Sequence, residues 1–549
     1  MNFIEHITRN RHRYYIVLIC TVGVILSAKG IMDESVISMN GDMPKYLMNG
    51  AFFYDLIRDA SFTDPLGYAY HYYAKYPALS LGHHPILLGI AEVPFYSVFG
   101  ISVFSGRLTI IFFLLLAAIF LFLLAKSAYG ETVAFFASLL LVTTPYVIEF
   151  SRIVMSEIPT LALVTATAYF YYQYCESDKK RYIFASAVSL TLSLYSKHNA
   201  VFMVPVLLFY LLIRKGPRGL LRKEVMFSAL TCALLLVPLV LITLKFSRAN
   251  LAFVSTALSS NSSSVVTPLS TRYLYYLNII WERHLTMPVF ILSLVSILVS
   301  IYRRDRKTII LFLWIICLGM SIGYLGWKGS RYAIYWIPAF CLFAALAINY
   351  FQSASWKVAI ATLLLAITGY QFAVSFHREA DSTDGYEKAA KYIIDNKKEG
   401  SILYSGIIDT GYFIFFLRKD QTDRDLIILR ADKILATSKM NWIIDNRIKK
   451  PDDIYGILKN WGVRYVVIED VASPSHSLEW LRQEVKSDKF ILRKRITLRS
   501  NTLKTDQVPL CIYEFKEYSP PKAGQKLHMD IPLMGDSIDI PFDSLHLAE

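Results

Sequence analysis

The stretch YYIVLICTVGVILSA, Tyr14–Ala28, is followed after a short polar interval by MNGDMPKYLMNGAFFYDLIRDA, Met39–Ala60. The first segment is apolar throughout and follows the basic start RNRHR. It is too long for a signal-peptide core and has no small-residue cleavage site, so it reads as a retained first membrane helix. The second places acids at Asp42, Asp55 and Asp59 among tyrosines and phenylalanines. Why a chain about to re-enter the membrane carries those acids is the question the remaining sequence has to answer.

Apolar runs like the first recur as far as Ser375. Crossing a hydrocarbon core takes roughly 20 apolar residues, and the runs fall near 14–28, 103–125, 132–149, 158–175, 182–196, 199–213, 225–244, 285–302, 308–326, 332–350 and 357–375. The chain has 549 residues, 54% hydrophobic and only 18% charged, with a mean hydropathy of +0.40, a balance that excludes an ordinary soluble domain. The expected fold is a polytopic α-helical membrane protein of about eleven spans with a C-terminal soluble α/β domain. The net charge of +14 does not mark a nucleic-acid partner. Its Lys and Arg clusters, RNRHR, SDKKR, RKGPRGLLRK and RRDRK, lie between spans, where orientation during insertion explains them.

With those clusters cytoplasmic, an odd number of spans puts the long loop 29–102 and everything after His377 on the outer side. HPILLGIAEVPFYSVFG (84–100), interrupted by Pro94 and carrying Glu92, reads as a helix lying at the interface. From about 385 the pattern becomes short strands and helices: YEKAAKYIIDNKK, SILYSG, DLIILR, PDDIYGILKNWG closed by Gly462, and RYVVIED. The expected organisation is a membrane module over 1–376, a soluble domain over 385–517 and a loosely ordered tail over 518–549.

The proposed spans contain almost no ionisable side chain, which disfavours an ion-coupled transporter or flippase. The ionisable residues gather instead at the outer ends of spans: Asp42, His83, His84, Glu92, Arg107, Arg152, Glu157, Lys197, His198, His284, Lys328 and Arg331. A substrate that is half lipid and half polar suits such a site, with cations for a lipid phosphate and a carboxylate for a reacting hydroxyl. This also disfavours a non-catalytic scaffold whose outer domain only binds a partner. The six cysteines show neither a disulfide framework nor metal-type spacing, and no phosphate-binding or nucleophile-elbow motif is present. DRD (423–425) reads as a solvated charge run, and Asn261 opens an Asn-Ser-Ser sequon.

Several segments, in order, resemble the GT-C glycosyltransferases that use polyprenyl-phosphate sugars, the group containing protein O-mannosyltransferases and lipid A aminoarabinose transferases. GDMPKYLMNGAFF (41–53) is similar to that group's Asp-Glu-x-x-Tyr first-loop motif. LGHHPILLGIAEVPFYSVFGISVFSGRL (81–108) resembles its Lys-Pro-Pro segment, Phe-Gly turn and Arg-Leu. SRIVMSEIPTLAL (151–163), SKHNA (196–200) and GSRYAIYWIPAF (329–340) resemble its second outer loop, its Lys after the fifth span and its Arg-Tyr entry to a late span.

The resemblance implies transfer of a hexose or pentose, with inversion, from a polyprenyl-phosphate donor to a lipid, glycan or protein acceptor. Its setting would be the outer face of a bacterial plasma membrane, with membrane lipids as surroundings and no nucleic acid. It makes Asp42 the catalytic base, ahead of the literal Asp33-Glu34 pair, and Glu157 a second acid. Arg331, Tyr332, Lys197, His83 and His84 would face the donor phosphate. For Glu157 a helix N-cap role stands beside this, and for Arg331 and Tyr332 an interfacial one. Met43 stands where the group has Glu, and His83-His84 stand where it has Lys-Pro. That departure makes the phosphate contact pH-dependent or passes it to Arg331 and Lys197. No cofactor is required by the resemblance; the histidines with Asp42 or Glu157 are also of a type that binds a divalent metal. Tyr46, Phe52, Phe53 and Tyr54 are expected to anchor the first loop at the lipid interface.

Overall fold

A computed structural model describes residues 3–39, 41–81, 83–246, 269–324, 328–438, 444–503, 507–522, 524–531 and 536–545. The Asn261 sequon lies outside them. The chain forms two compact units: residues 1–31, 107–241 and 252–380 make the first, and 32–106, 242–251 and 381–549 the second.

In the first unit every expected span is helical. The helices include Phe3–Ser27, Glu157–Ser177, Lys180–Ser196, Met203–Lys215, Met287–Tyr302, Ile309–Tyr324, Ile337–Tyr350 and Ala354–His377, and Val103–Tyr129 and Lys223–Phe246 lie mostly in it. Among the described residues six helices are long and apolar enough to cross a membrane. A seventh span would be the pair Glu131–Thr143 and Pro145–Ser151, bent by 59°. The expected count of about eleven therefore goes beyond what length and composition single out. The Thr, Tyr and Ser content of Glu157–Ser177 dilutes its hydropathy, yet most of its length is buried against other helices.

Two arginines hold chain ends in this unit. Arg152 is 1% exposed and donates to Leu26 O (2.7 and 3.0 Å), Ser375 O (2.9 Å) and Arg378 O (2.6 Å), while Arg107 donates to Gly30 O and to Lys29 O. Carbonyls at the end of a helix lack intrahelical donors. Both cations supply them, which accounts for their position at span ends.

The second unit joins the first loop to the C-terminal region, so this loop groups with residues 381–549 rather than with the spans. Its C-terminal part holds β1 (Thr383–Asp384), β2 (Ser401–Ser405), β3 (Ile428–Arg430), β4 (Ala436–Ser438), β5 (Ile444–Asn446), β6 (Val463–Glu469), β7 (Phe490–Ser500) and β8 (Val508–Phe515). A six-stranded sheet has the order β1-β7-β8-β6-β2-β3, with β2 parallel to β3 and β6, and β8 antiparallel to β6 and β7. The helix Tyr386–Asp395 buries Tyr386, Ala389, Ala390 and Ile393, one stripe at helical spacing. The tail, expected to be loose, pairs β9 (Lys526–Ile531) with β10 (Asp536–Pro541). Leu527, Met529, Ile538 and Phe542 enter the core of the unit, so period-2 burial outweighs the Pro-rich lead-in SPPKAGQ.

Three loop helices, Met43–Arg58, Pro65–Lys75 and Leu87–Phe99, complete the unit. The first and third pack so closely that a Cβ on Gly50 would lie 1.9 Å from Glu92 Oε2 and 2.8 Å from Tyr96. Tyr46 and Phe52, expected as lipid-facing anchors, are only 3% and 2% exposed. Phe52 packs against Phe53, Tyr68 and Tyr72, so these aromatics form an internal cluster. Asp55 and Asp59 are also structural. Asp55 is fully buried against Arg418, whose Nε lies 2.8 Å from Oδ2, and accepts from Tyr72 OH at 2.9 Å. Asp59 takes both Nη atoms of Arg424 at 2.7 and 2.9 Å and Tyr68 OH at 2.8 Å. The loop is thus clasped to the sheet domain by paired guanidinium–carboxylate contacts.

Candidate active site

Asp42 precedes the helix Met43–Arg58, where Pro44 in the first turn suits a helix start, but its side chain makes no capping bond. Its Oδ1 lies 3.3 Å from both Lys45 Nζ and His84 Nε2. The other ring nitrogen of His84, Nδ1, lies 3.2 Å from Tyr46 OH, and the two rings are tilted by 38° with centroids 4.6 Å apart. The His83 ring stands edge-on to His84 at 4.5 Å. One ligand atom from each of Asp42, His83 and His84 falls within 4.8 Å of the others. The donor types suit zinc, and the Lys45 ammonium lies against the same carboxylate.

The chain entering this helix is held by the sheet domain. Tyr412 OH donates to Ser38 O at 2.6 Å, and Asp409 Oδ1 accepts from Gly411 N and Tyr412 N, both at 2.7 Å. The turn runs so close to the helix start that a Cβ on Gly411 would stand 2.8 Å from Pro44. Behind it, the Glu469 carboxylate accepts from Ile407 N (2.7 Å), Ile408 N, Tyr386 OH (2.7 Å) and Tyr404 OH (2.9 Å). Burial pushes the Glu469 carboxyl up to about 7 despite those donors. Nothing near RYVVIED marks this acid as a hub, because its partners lie some 60 residues earlier. The alternation of RYVVIED alone would count it as a strand-end residue.

The other expected residues assemble in the first unit. Glu157 opens the helix Glu157–Ser177 and is fully buried; its Oε1 is 2.5 Å from Lys197 Nζ and 3.8 Å from Arg331 Nε. Lys197 follows the helix Lys180–Ser196, and Arg331 sits in the 3₁₀ turn Ser330–Trp336. Both cations lie 5.5 Å from the Tyr332 ring centroid. The structure therefore brings Asp42, His83 and His84 together in one unit, and Glu157, Lys197, Arg331 and Tyr332 together in the other. Asp33 is occupied locally, accepting from Ser35 N and Oγ, and Glu34 receives Val103 N and Phe104 N at 3.1 Å, the start of a long helix. In DRD, Asp423 and Asp425 pair with Lys397 while Arg424 turns to Asp59.

Residues 83–242 match the family model described as dolichyl-phosphate-mannose-protein mannosyltransferase. No curated protein sequence matches the chain. Among solved structures, ArnT from Cupriavidus metallidurans in the apo state is 13% identical at a TM-score of 0.63, over 93% of this chain and 99% of that one. The apo oligosaccharyltransferase of Archaeoglobus fulgidus is 14% identical at 0.55, over 84% and 70%. The mycobacterial arabinofuranosyltransferase AftD is 12% identical at 0.53, over 94% and 41%. At these identities the likeness is one of fold. Residues 83–242 of the chain thus match the model of the dolichyl-phosphate-mannose-protein mannosyltransferase family, and over most of its length the chain is similar in fold to ArnT.

Proposed function

We propose that the protein is an integral-membrane glycosyltransferase that moves one sugar, a hexose or pentose, from a polyprenyl-phosphate carrier to an acceptor hydroxyl, with inversion. The observation that carries this is the setting of Asp42. Its carboxylate makes no cap to its own helix and is held between Lys45 and a His84 that Tyr46 orients. Asp42 takes the acceptor's hydroxyl proton, the oxygen attacks the anomeric carbon, and the bond from that carbon to the phosphate breaks with its electron pair leaving on the phosphate. For the donor phosphate the chain offers Arg331 and Lys197, two cations of the kind that bind phosphate. Glu157, expected as a second acid, is a positioning residue that holds the two cations. His83 and His84, expected at the donor phosphate, stand beside Asp42.

Two structures of similar fold support the donor class: an ArnT bound to undecaprenyl phosphate, and an archaeal oligosaccharyltransferase in complex with an inhibitory peptide and a dolichol-phosphate. The acceptor is a lipid, glycan or protein. We place the reaction on the periplasmic face of a bacterial plasma membrane, supported by the basic connections between spans. A reporter fused after Glu549 that is active only in the cytoplasm refutes that side. This reading requires no metal, although Asp42, His83 and His84 are close enough together to hold a divalent cation. Activity that survives chelation is the expected result, and activity lost to a chelator and restored by zinc makes the metal obligatory. The test of the function is incubation of the purified protein with a radiolabelled polyprenyl-phosphate sugar. Transfer or hydrolysis supports the reading; uptake into liposomes with the bond intact overturns it.

A further inference from the structure

A cavity of about 600 Å³ lies within the second unit, and the residues flanking Asp42, namely Gly41, Pro44 and Lys45, line it together with His83. Its walls are apolar and aromatic, with Phe52, Tyr70, Tyr73 and Phe246 among them. Arg430 and Lys433 of the sheet domain also line it, and they differ in one respect. Arg430 is satisfied, with Asp432 gripping its guanidinium and Pro77 O accepting at 2.8 Å. Lys433 is 6% exposed and makes no hydrogen bond or ion pair among the described residues. Buried ammonium groups are normally paired, because an unpaired charge among apolar walls is costly.

We infer that this cavity is the acceptor site and takes an amphipathic acceptor, whose apolar body lies on Phe52, Tyr70, Tyr73 and Phe246 and whose single anionic group, a phosphate or carboxylate, pairs with Lys433. This rests on the reading of Asp42 as base: a base must touch the acceptor, and the cavity is the space bounded by the residues around it. A volume of this size, mostly apolar with a few convergent polar groups, is the usual form of a small-ligand site. The charges around Lys433 fit an anion-seeking lysine. Burial lowers its ammonium to about 8, Asp432 and Asp530 pull it back up, and Arg430 and Arg447 lower it again. A bound anion would restore the charged form.

The test is isothermal titration of the full-length protein in phosphatidylcholine nanodiscs. The probes are dihexanoylphosphatidic acid, uncharged dihexanoylglycerol and inorganic phosphate, against wild type, Lys433→Met and Lys433→Arg. The acid should bind wild type at least about tenfold tighter than the glycerol. Lys433→Met should shrink that ratio to about twofold or less, and Lys433→Arg should keep most of it. Wild-type affinity for the acid should fall as pH rises through about 8, while Lys433→Arg stays flat there. Inorganic phosphate that binds as tightly as the acid overturns the amphipathic acceptor, and an unchanged ratio in Lys433→Met overturns the role of Lys433. Asp42→Asn should leave this binding intact, so a chain that binds the acid through Lys433 but never transfers sugar refutes the transferase reading alone.

Discussion

The two ends of the helix Met43–Arg58 carry carboxylates with opposite fates. At its C-terminal end Asp55 is fully buried and Asp59 keeps 20% of its side chain exposed, and Arg418, Arg424, Tyr68 and Tyr72 bond them. At its N-terminal end Asp42 keeps 14% of its side chain exposed and lies beside Lys45 of its own helix and His84. The first arrangement locks a loop to a domain. The second leaves a carboxylate able to accept a proton from something that arrives. The kind of partner separates them: forked guanidinium pairs hold the acids of the clasp, whereas an ammonium and an imidazole stand beside the acid proposed as the base.

Substitutions can break that contrast. The largest effect is expected at the clasp. Asp55→Asn leaves Arg418 buried without its counter-charge and should cost about 3–5 kcal/mol of stability, whereas Asp55→Leu combined with Arg418→Met should recover most of it. A melting curve for Asp55→Asn that overlays wild type would show that the clasp holds nothing. Next comes Glu469, whose carboxyl rises from an ordinary 4.5 to about 7 in the folded chain. A raised carboxyl favours the protonated folded state, so its contribution is complete below 4.5 and is lost as pH rises through 7. That is about 3 kcal/mol over the window. Glu469→Gln should remove this slope, and equal slopes in the two proteins would contradict the assignment.

Smaller effects are expected at the phosphate contacts. Arg331→Ala should weaken binding of the polyprenyl-phosphate donor by about tenfold or more, and Arg331→Lys by less, since charge outweighs fork geometry. Lys197→Ala should resemble Arg331→Ala. Donor affinity at the wild-type level in all three would take the cluster around Glu157 out of the reaction. Gly411→Val, which presses a side chain on Pro44, should slow transfer by roughly tenfold through displacement of Asp42; an unchanged rate would mean that the turn does not set its position.

The helices of the first unit and the first strands were readable because their signal is local: apolar length for the helices, alternation and turn residues for SILYSG, DLIILR and RYVVIED. The grouping of Asp42 with His83 and His84 was readable only as two separate motifs, since nothing in either segment encodes the 3.3 Å contact between them. The clasp was not readable at all. Asp55 and Arg418 are 363 residues apart, and each alone looks like a solvated charge. Glu469 was missed for the same reason, and the tail hairpin because its proline-rich approach hides two short alternating strands.

The most direct measurement is sugar transfer by purified Asp42→Asn beside Asp33→Asn, from a radiolabelled polyprenyl-phosphate sugar. The amide keeps the shape of Asp42 but cannot take the acceptor's proton. Transfer should therefore fall by roughly 10²-fold or more while the melting curve stays at wild type, and Asp33→Asn, a local cap on Ser35, should stay within about twofold. Equal effects at the two positions, or a larger loss at Asp33, would contradict the assignment of Asp42 as the base.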